Sequence, residues 1–474
     1  MRRLRAFATL ALAVTLGAAP APDSLQRRVD AALASPAFAG AQVGFLAVSA
    51  ADGTVLYSRN ADNEFLPASN FKLLVGSAAL RYLSPDFRFV TAISADAAPQ
   101  NGVVAGNLYL RGGGDAHLTH ADLASAARAL YESGVRRIDG AVIPDASHDD
   151  AQRYPDGWSW DDLPYEYAAV VSALELEEGT VHVYVTPGAS AGEPPTLRVE
   201  PQSGAFTIAN EATTGAPKSD DTTDVVRPWD SPTTIAIVGS YPAGAPESDD
   251  LAPSVPDPPA YAGNVLRQAL QSAGIAVAGG ARSGAAPASR VTLWSHDSLP
   301  LPQLLAQFWL PSDNLMGELF LKELGAARAG EPGSYANGIA VEREYLRSLG
   351  IDPATVSIAD GSGLSVYDRI TPRDLVTILR GDWNGTQRVA VIKALPAAGL
   401  LGTLAHSFAG TPLEGKLFAK TGSERHTRAL SGLLLTPARG TVIFSLLING
   451  WLGDDRNASA GLQSAEAAVL EAFL

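Results

Sequence analysis

The chain has 474 residues, of which 46% are hydrophobic and 18% are charged, and its formal net charge is −15. This balance is typical of a globular chain and excludes intrinsic disorder, and the length predicts about three domain-sized units. The acidic charge makes nucleic acids and anionic membranes unfavourable partners. The absence of cysteine excludes disulfides, a thiol nucleophile and thiolate metal ligands.

The N-terminal residues 1–21 are typical of a secretory signal peptide. Arg2, Arg3 and Arg5 form a cationic segment, and an apolar run with small residues follows as far as Ala21. The run is too short to span a bilayer well. We therefore expect export to the periplasm or the outer side of the cytoplasmic membrane, as a soluble protein without stable membrane insertion. The number of subunits stays open.

Strand and helix patterns follow one another along the chain in three blocks. In the first block, residues 42–61 predict two strands around Asp52 and Gly53, a pair typical of hairpin turns. Apolar residues then recur at helical spacing from Ser69 to about Tyr82.

The middle block has a different character. Strand patterns occupy 87–114, 180–187 and 234–242, and one amphipathic helix pattern covers 120–135. The proline- and acid-rich stretch 241–260 predicts a domain boundary or a surface loop.

The last block begins near Tyr261 and is helical before it returns to strands. Thr371 and Pro372 are a typical N-cap and first-turn pair. Strand patterns and one final helix end the chain. Strands at both ends with helices between them predict one α/β domain that is split by an insertion. The helices predicted in this block are 263–273, 299–309, 313–327, 336–349 and 372–381.

One candidate nucleophile is Ser190, in the G-x-S-x-G pattern of residues 188–192. This pattern marks a nucleophile only where a strand leads through a sharp turn into a helix. Pro194 and Pro195 follow and would not let such a helix begin properly. We therefore expect a flexible loop at this position.

A second candidate is a metal site formed by Asp115, His117, His120 and Asp122. The alternative is a glycine-rich loop that enters a helix, with Thr119 or His120 as its cap. Metal sites usually add a distant ligand, and the chain has seven histidines in total. The loop is the favoured interpretation, and we expect neither a metal nor an organic cofactor.

A third candidate is Ser69 with Lys72, an S-x-x-K pair in the stretch LPASNFKLL. A serine nucleophile needs a base, and residues three apart on a helix face the same way. The positive helix end favours an alkoxide, and burial favours a neutral lysine. Phe71, between the two, is expected to point into the core. The alternative is a helix-capping serine beside an incidental lysine.

Two later segments give the S-x-x-K pair a context. Ser312–Asn314 has the sequence S-D-N at a loop-to-helix junction, and Lys420–Ser423 has the sequence K-T-G-S in a predicted strand. The three motifs occur in this order in class A β-lactamases and penicillin-binding proteins. Each motif is common alone, but together they predict a catalytic serine. The alternative is a capping serine, a solvated turn and a strand-end lysine without a shared function.

The chain therefore resembles the active-site-serine D-alanyl-D-alanine peptidases, and most closely the class C low-molecular-mass penicillin-binding proteins. The long gap from Ser69 to Ser312, the segments YLRGGGDAHLT and GWSWDDL, and DGSGLS followed by Thr371-Pro372 carry this resemblance. It implies a penicillin-binding/β-lactamase-like α/β domain, an antiparallel sheet flanked by helices, split by a mainly β insertion. The implied boundaries are 24–87 and 261–474 for the catalytic domain, 88–116 and 188–260 for inserted domain II, and 117–187 for nested domain III.

The resemblance also implies a reaction, the hydrolysis of peptidoglycan stem peptides by a D-Ala-D-Ala carboxypeptidase with DD-endopeptidase activity as a second possibility. Ser69 would attack the carbonyl between the two D-alanines, and Lys72 would take its proton. Ser312 would relay that proton to the leaving amine, and Asn314 would orient the substrate amide.

The K-T-G-S segment would bind the other end of the substrate. Lys420 and Thr421, with Ser423, would hold the terminal carboxylate, and Gly422 would leave room for the substrate along the strand edge. The backbone N–H groups of Ser69 and Ser423 would form the oxyanion hole. β-Lactams, as mimics of D-Ala-D-Ala, would trap Ser69 as a slow acyl-enzyme.

The sequence departs from the family pattern in two places. Val366 and Asp368 stand where the family usually has arginine and asparagine after DGSGLS, and the insert carries Glu175, Glu177 and Glu178. These departures leave the stem-peptide preference open. Two other functions stay as alternatives, a β-lactamase and a catalytically inactive relative that binds peptidoglycan.

Overall fold

The computed structural model describes residues 24–452 and 456–474. The predicted signal peptide, residues 1–21, lies outside the described residues. The helices are α1 (Ser24–Leu33), α2 (Lys72–Tyr82), α3 (His120–Glu132), α4 (Pro258–Ser272), α5 (Leu301–Trp309), α6 (Asn314–Ala329), α7 (Tyr335–Ser348), α8 (Pro372–Asn384), α9 (Arg388–Ala394) and α10 (Arg456–Glu471). Within these ranges, no helix has the length and apolar composition that crossing a membrane requires.

The strands are short in the middle of the chain and long at its two ends. They are β1 (Gln42–Ser49), β2 (Val55–Arg59), β3 (Val90–Ala95), β4 (Val103–Val104), β5 (Leu108–Arg111), β6 (Arg137–Ile138), β7 (Val142–Asp145), β8 (His182–Thr186), β9 (Thr196–Glu200), β10 (Thr207–Asn210), β11 (Thr213–Gly215), β12 (Asp224–Val226), β13 (Thr234–Val238), β14 (Ser240–Pro242), β15 (Ser248–Leu251), β16 (Ala276–Val277), β17 (Val291–Asp297), β18 (Leu417–Glu424), β19 (Thr427–Thr436) and β20 (Gly440–Asn449).

The two ends of the chain form one antiparallel sheet, with the strand order β18-β19-β20-β1-β2. β1 pairs with β20 along its whole length, from Gln42 opposite Asn449 to Ser49 opposite Val442. The predicted N-terminal hairpin therefore sits beside the last strand of the chain. This pairing confirms that one α/β domain is built from both ends and interrupted by an insertion.

A layer of helices covers each face of this sheet, because the central strands carry apolar side chains on both faces. On β20, Ile443 and Leu447 face the core formed with α2 and α5–α9, while Phe444 and Leu446 face the core that includes residues of α1 and α10. Period-two alternation sends successive side chains to opposite faces, so a strand that is apolar on both faces must be covered on both. The result is the predicted antiparallel sheet flanked by helices.

Helix α2 lies at the centre of the larger helical layer. Its residues from Lys72 to Ala79 are all buried, because α5, α6, α7 and α8 surround it. Gly76 allows the close approach of α5, since the Trp309 ring lies 2.6 Å from where a Cβ would be. Trp309 Nε1 also donates to Lys72 O at 3.1 Å. The position of Lys72 therefore depends on how tightly α5 packs.

Helix α8 begins as the sequence predicts. The Thr371 hydroxyl caps the helix by accepting a hydrogen bond from Asp374 N–H, and the Asp374 carboxylate accepts one from Thr371 N–H. Pro372 is the first helical residue. Helix α9 was not predicted, because its seven residues are too few to show a clear period.

The insertion has its own hydrophobic core, and this core corrects the predicted boundary at residue 261. Tyr261 and Leu266 of α4 pack into it with Leu110 and Leu123. Strand β17 pairs with β3 in the sheet β17-β3-β5-β7. Residues 261–297 therefore belong with the insertion, because the apolar face of α4 is buried there and not on the main sheet.

The nested part of the insertion also differs from the predicted division. Strand β7, which falls in the predicted domain III, pairs with β5 of domain II, and β8 pairs with β9 and β15. The stretch 241–260, predicted as a boundary or loop, contains β15 and the buried Val255. Strand partners that are distant in sequence, and not local composition, decide which segments share a domain. The remaining predicted boundaries stay predictions.

We predict that Gly76→Ala lowers the thermal midpoint by roughly 2–8 °C, because the new Cβ would overlap the Trp309 ring. Gly461→Ala is the matched control, since Gly461 lies in α10 and a Cβ there would meet nothing within 4 Å. This control should hold or raise the midpoint, as alanine favours a helix interior. Scanning calorimetry of the two variants gives the comparison, and an equal midpoint for both would contradict the packing argument.

Candidate active site

The first motif lies where a 3-10 turn, Ala68–Phe71, runs directly into α2. Ala68 has a φ of 47°, a left-handed conformation that non-glycine residues rarely adopt. Phe71 is buried in the main core, as the sequence predicts. The turn leaves the Ser69 side chain partly exposed and the Lys72 side chain fully buried. Lys72 Nζ and Ser69 Oγ are 2.8 Å apart.

Lys72 Nζ has three hydrogen-bond partners from three segments of the chain. They are Ser69 Oγ at 2.8 Å, Asn314 Oδ1 at 2.5 Å and the backbone oxygen of Ser362 at 2.8 Å. Burial lowers the pKa of Lys72 to about 8, against the opposing effect of nearby carboxylates, of which Asp360 is the strongest. A lysine with this pKa is neutral in about a tenth of the molecules at pH 7, far more than an ordinary lysine, and the neutral form is the one that a general base requires.

The second motif forms the start of α6. Asp313 caps the helix by accepting from Met316 N–H at 3.1 Å, and Asn314 is the first helical residue. Ser312, just before the cap, has a φ of 70°. Asn314 is fixed on both sides of its amide, because Oδ1 accepts from Lys72 and Nδ2 donates to the backbone oxygen of Tyr167 at 2.7 Å.

The third motif lies on the edge strand β18 of the main sheet. Lys420 is fully buried, and its Nζ donates to Ser312 Oγ at 2.8 Å and to Thr421 O at 2.9 Å. Burial, and then the charge of Lys72, hold the pKa of Lys420 well below its ordinary range. Thr421 Oγ1 lies 2.8 Å from Thr403 Oγ1, and Ser423 is exposed. The strand therefore presents hydroxyl groups next to a buried lysine.

The first and third motifs are also joined directly. Asn70 Nδ2 donates to the backbone oxygen of Lys420 at 3.0 Å. A Cβ at Gly422 would lie 2.8 Å from Pro67 O and 3.1 Å from Asn70 N. Glycine at this position therefore lets the strand approach the nucleophile turn. The predicted role of Gly422 in leaving room for the substrate stays a prediction.

All three predicted motifs thus meet in one place. Ser69 and Asn314 both contact Lys72 Nζ, and Ser312 contacts Lys420 Nζ. One set of hydrogen bonds joins the candidate nucleophile to its candidate base, and a second set joins the candidate proton relay, Ser312, to Lys420. Their roles in catalysis stay predictions.

Sequence reasoning missed the residues that support this set. Glu318 accepts from the backbone N–H groups of Gly361 and Ser362 at 3.1 and 2.9 Å, and so orients the Ser362 carbonyl toward Lys72. Burial and the neighbouring Asp360 raise the pKa of Glu318 to about 8. Its position four residues after Asn314, on the same helical face, could have indicated it.

Asp360, in the DGSGLS segment, holds the loop behind Lys72. Its carboxylate accepts from the N–H groups of Gly363 and Ser365, both at 2.7 Å, and from Trp158 Nε1 at 2.8 Å. A Cβ at Gly363, which has a φ of 81°, would lie 2.1 Å from Ala68 O. The loop therefore packs directly against the nucleophile turn, and glycine is required there.

The other candidates of the sequence do not join this site. The G-x-S-x-G residues 188–192 lie between β8 and β9 of an antiparallel pair, with no helix after them. Thr119 caps α3 through a capping box with Asp122, as the loop interpretation expected. His120 contacts Glu177. Among the residues that the structure describes, no group of three or more His, Asp or Glu side chains is placed to hold a metal ion.

The residues that depart from the family pattern differ in how far they are exposed to solvent. Val366 is 52% exposed, whereas Asp368 is fully buried and accepts from Ala359 N–H at 2.7 Å. Glu175 is also buried, so its carboxylate faces the protein interior. Glu177 and Glu178 line a cleft of about 750 Å³ that also touches the S-D-N motif.

The fold and the three motifs define an active-site-serine peptidase of the penicillin-binding class. The model of the D-Ala-D-Ala carboxypeptidase 3 (S13) family matches residues 25–470, and the chain belongs to this family. A D-alanyl-D-alanine carboxypeptidase from an Actinomadura strain is 36% identical over 95% of this chain and 88% of the relative. The D-alanyl-D-alanine carboxypeptidase DacB of Haemophilus influenzae is 27% identical over 88% of this chain and 87% of that protein. The predicted assignment to serine-type D-Ala-D-Ala carboxypeptidases is confirmed.

Solved structures confirm the predicted fold. Penicillin binding protein 4 (dacB) from Haemophilus influenzae superposes with a TM-score of 0.83 at 24% identity, over 92% of this chain and 97% of that chain. A peptidoglycan endopeptidase from Bdellovibrio bacteriovorus superposes with a TM-score of 0.52 at 16% identity, over 91% of this chain and 93% of that chain. The insertion is therefore part of the shared fold.

We predict that Gly422→Ala reduces acylation of Ser69 by about 100-fold, because a displacement near 1 Å between strand and turn is enough for such a loss. The new methyl group would push β18 away from Pro67 and Asn70. The measurement is the rate of covalent labelling by a fluorescent penicillin. Gly204→Ala, at an exposed position with open space around it, should leave that rate unchanged. Equal rates for both variants would contradict the close approach.

Proposed function

We propose that this chain is an exported D-Ala-D-Ala carboxypeptidase that hydrolyses peptidoglycan stem peptides through an acyl-enzyme on Ser69. The observation that carries this proposal is the buried Lys72 amine, bonded at once to Ser69 Oγ and to Asn314 Oδ1. A neutral amine has two N–H groups and one lone pair. The two N–H groups match Asn314 Oδ1 and Ser362 O, so the lone pair faces the Ser69 hydroxyl and can accept its proton.

The proposed reaction begins with attack of Ser69 Oγ on the carbonyl carbon between the two D-alanines. The hydroxyl proton moves to Lys72 Nζ, and the backbone N–H groups of Ser69 and Ser423 stabilise the oxyanion. The C–N bond then breaks, and Ser312 gives its hydroxyl proton to the departing D-alanine amine while it takes up the proton that Lys72 received from Ser69, so that Lys72 is neutral again. Water attacks the ester in the second half of the reaction and releases the shortened peptide.

The edge of β18 supports binding of the substrate's terminal carboxylate. Thr421 and Ser423 carry hydroxyl groups on this edge, and Lys420 lies behind them against Ser312. Asn314, held by the backbone of Tyr167, is placed to orient the substrate amide. Hydroxyl groups and one cation together are suited to a carboxylate. β-Lactams carry a comparable carboxylate and should bind in the same way.

The place of action is the outer side of the cytoplasmic membrane. The cationic Arg2, Arg3 and Arg5 followed by an apolar run support export. Cleavage of crosslinks between stem peptides, a DD-endopeptidase activity, is part of the same proposal, because it uses the same acyl-enzyme with a larger leaving amine.

Benzylpenicillin should form one covalent adduct per chain, and Ser69→Ala should form none. The reason is that Ser69 provides the only hydroxyl group among the three hydrogen-bond partners of Lys72 Nζ. Intact-protein mass spectrometry gives the stoichiometry. Ser190→Ala, in the loop of residues 188–192, is the matched control and should label fully.

Two outcomes would overturn this interpretation of the adduct. Persistent labelling of the Ser69→Ala variant would exclude Ser69 as the nucleophile. Sustained turnover of nitrocefin beyond one equivalent would favour a β-lactamase.

Product analysis on purified muropeptides tests the reaction itself. Free D-alanine from pentapeptide muropeptides is the expected product, and cleavage of crosslinked dimers would add the endopeptidase activity.

The rate constant of acylation should rise about tenfold per pH unit below pH 8 and level off above it, because only neutral Lys72 acts as base and its pKa is about 8. The benzylpenicillin carboxylate stays ionised over this range. Lys72→Arg keeps the charge but not the base, and should reduce the rate by about 100- to 10,000-fold. Lys416→Arg, on the surface near β18, is the control. A rate independent of pH between about 6 and 8 would contradict the lysine as base.

A further inference from the structure

The S-D-N motif depends on one carboxylate, that of Asp313. Oδ1 of Asp313 caps α6, and the flanking residues Ser312 and Asn314 provide the two contacts to Lys420 and Lys72. Ser312 is held in a left-handed conformation, which costs about 1–3 kcal/mol and persists only where the surroundings enforce it. A change in the Asp313 cap would therefore reach both neighbours directly.

The second oxygen of Asp313 is in an unusual position. Among the described residues, no hydrogen-bond donor contacts Oδ2, although the side chain is only 10% exposed. The imidazole of His117 lies beside it, with Nε2 3.9 Å from Oδ2 and 3.1 Å from Met316 Sδ. A buried carboxylate without a hydrogen bond needs a positive charge nearby to stay ionised.

His117 is itself fixed by the insertion. Its Nδ1 lies 3.2 Å from Glu178 Oε1, and its backbone N–H donates to Asp115 Oδ1 at 3.0 Å. Glu178 belongs to a turn in which Glu177, Glu178 and Gly179 all have positive φ values, of 53°, 55° and 70°. Glu178 N–H also donates to Ala116 O at 3.1 Å. Three successive left-handed residues thus aim one carboxylate at the imidazole.

We propose that His117 is a positioning residue, which keeps the Asp313 carboxylate ionised and so holds Ser312 and Asn314 in their places. The imidazole lies between Glu178 of the insertion and Asp313 at the start of α6, so its protonated form attracts both carboxylates. This inference rests on the proposed acylation of Ser69. It gives a role to a histidine that the three sequence motifs do not include.

The charges around this histidine agree with that role. Burial lowers the pKa of His117, but the hydrogen bond with Glu178 and the charges of Asp313 and Asp115 raise it above the ordinary value overall. Burial, and then Glu178, raise the pKa of Asp313 to about 6, which His117 and Lys72 oppose. A raised histidine pKa means that the imidazolium is present at low pH and is lost as pH rises through the raised value. The further titratable groups near these residues are Glu175, Asp122 and His296.

Protonation of Asp313 should therefore impair the site below about pH 6. The neutral carboxyl group would lose its attraction to His117 and would be a weaker cap for the positive end of α6. The pH profile of acylation should then have two breaks, an upper one from Lys72 near pH 8 and a lower one from Asp313. Removal of the imidazolium would move only the lower break.

The test is the acylation rate constant of the full chain with benzylpenicillin, measured from about pH 5 to pH 9. In His117→Gln, the lower break should rise by about one pH unit, while the rate near pH 8 stays within about threefold of the native rate. His120→Gln is the matched control, because His120 makes a similar pair with Glu177 at 2.6 Å but is 60% exposed. Its profile should match that of the native chain.

A double-variant cycle separates charge from packing. Asp313→Asn keeps a good N-cap without a titrating group, so the lower break should disappear, and His117→Gln should add no pH effect in that background. An unshifted break in His117→Gln, an equal shift in His120→Gln, or a uniform loss of rate at every pH would each overturn the positioning role. A native chain that forms no adduct at any pH would instead overturn the proposed function.

Discussion

The site depends above all on the burial of one amine, that of Lys72. Burial has two consequences that cannot be separated. Without water, every polar atom of the amine must find a partner in the protein, and Ser69, Asn314 and Ser362 provide three. The same loss of water lowers the pKa of the amine to about 8. The geometry that fixes the base is thus also the reason that it can act as one.

The acids behind Lys72 show how this burial is maintained. Glu318 and Asp360 accept hydrogen bonds from the backbone N–H groups of the DGSGLS loop. Burial raises the pKa of Glu342 and of Asp368 well above the ordinary range, which favours the neutral form of both neighbours. The cluster therefore supplies hydrogen-bond acceptors that orient the Ser362 carbonyl, and its charges do not overcome the effect of burial on Lys72.

The sequence predicts those parts of this arrangement that short-range patterns encode. The Ser69–Lys72 spacing, the Thr371 cap and the strand around Lys420 depend on neighbours within a few residues, and the structure has all three. The sequence placed the start of the second catalytic segment at residue 261, which is too early, because β17 pairs with β3, about 200 residues earlier in the chain. Long-range pairing leaves no local signal. For the same reason the sequence did not predict the contact between Asn70 and Lys420 or the close approach of Gly422 to the turn beside Ser69.

The two buried lysines of the site constrain each other. Lys420 has no exposed surface, and the charge of Lys72 adds to burial in lowering its pKa, so two full positive charges side by side are unfavourable. A carboxylate bound beside Thr421 would favour the charged form of Lys420, because opposite charges attract most strongly where water is excluded. That charge would in turn favour the neutral form of Lys72. Binding of an anionic substrate would thus place the positive charge on the lysine that holds the substrate and leave the lysine beside Ser69 free to accept a proton.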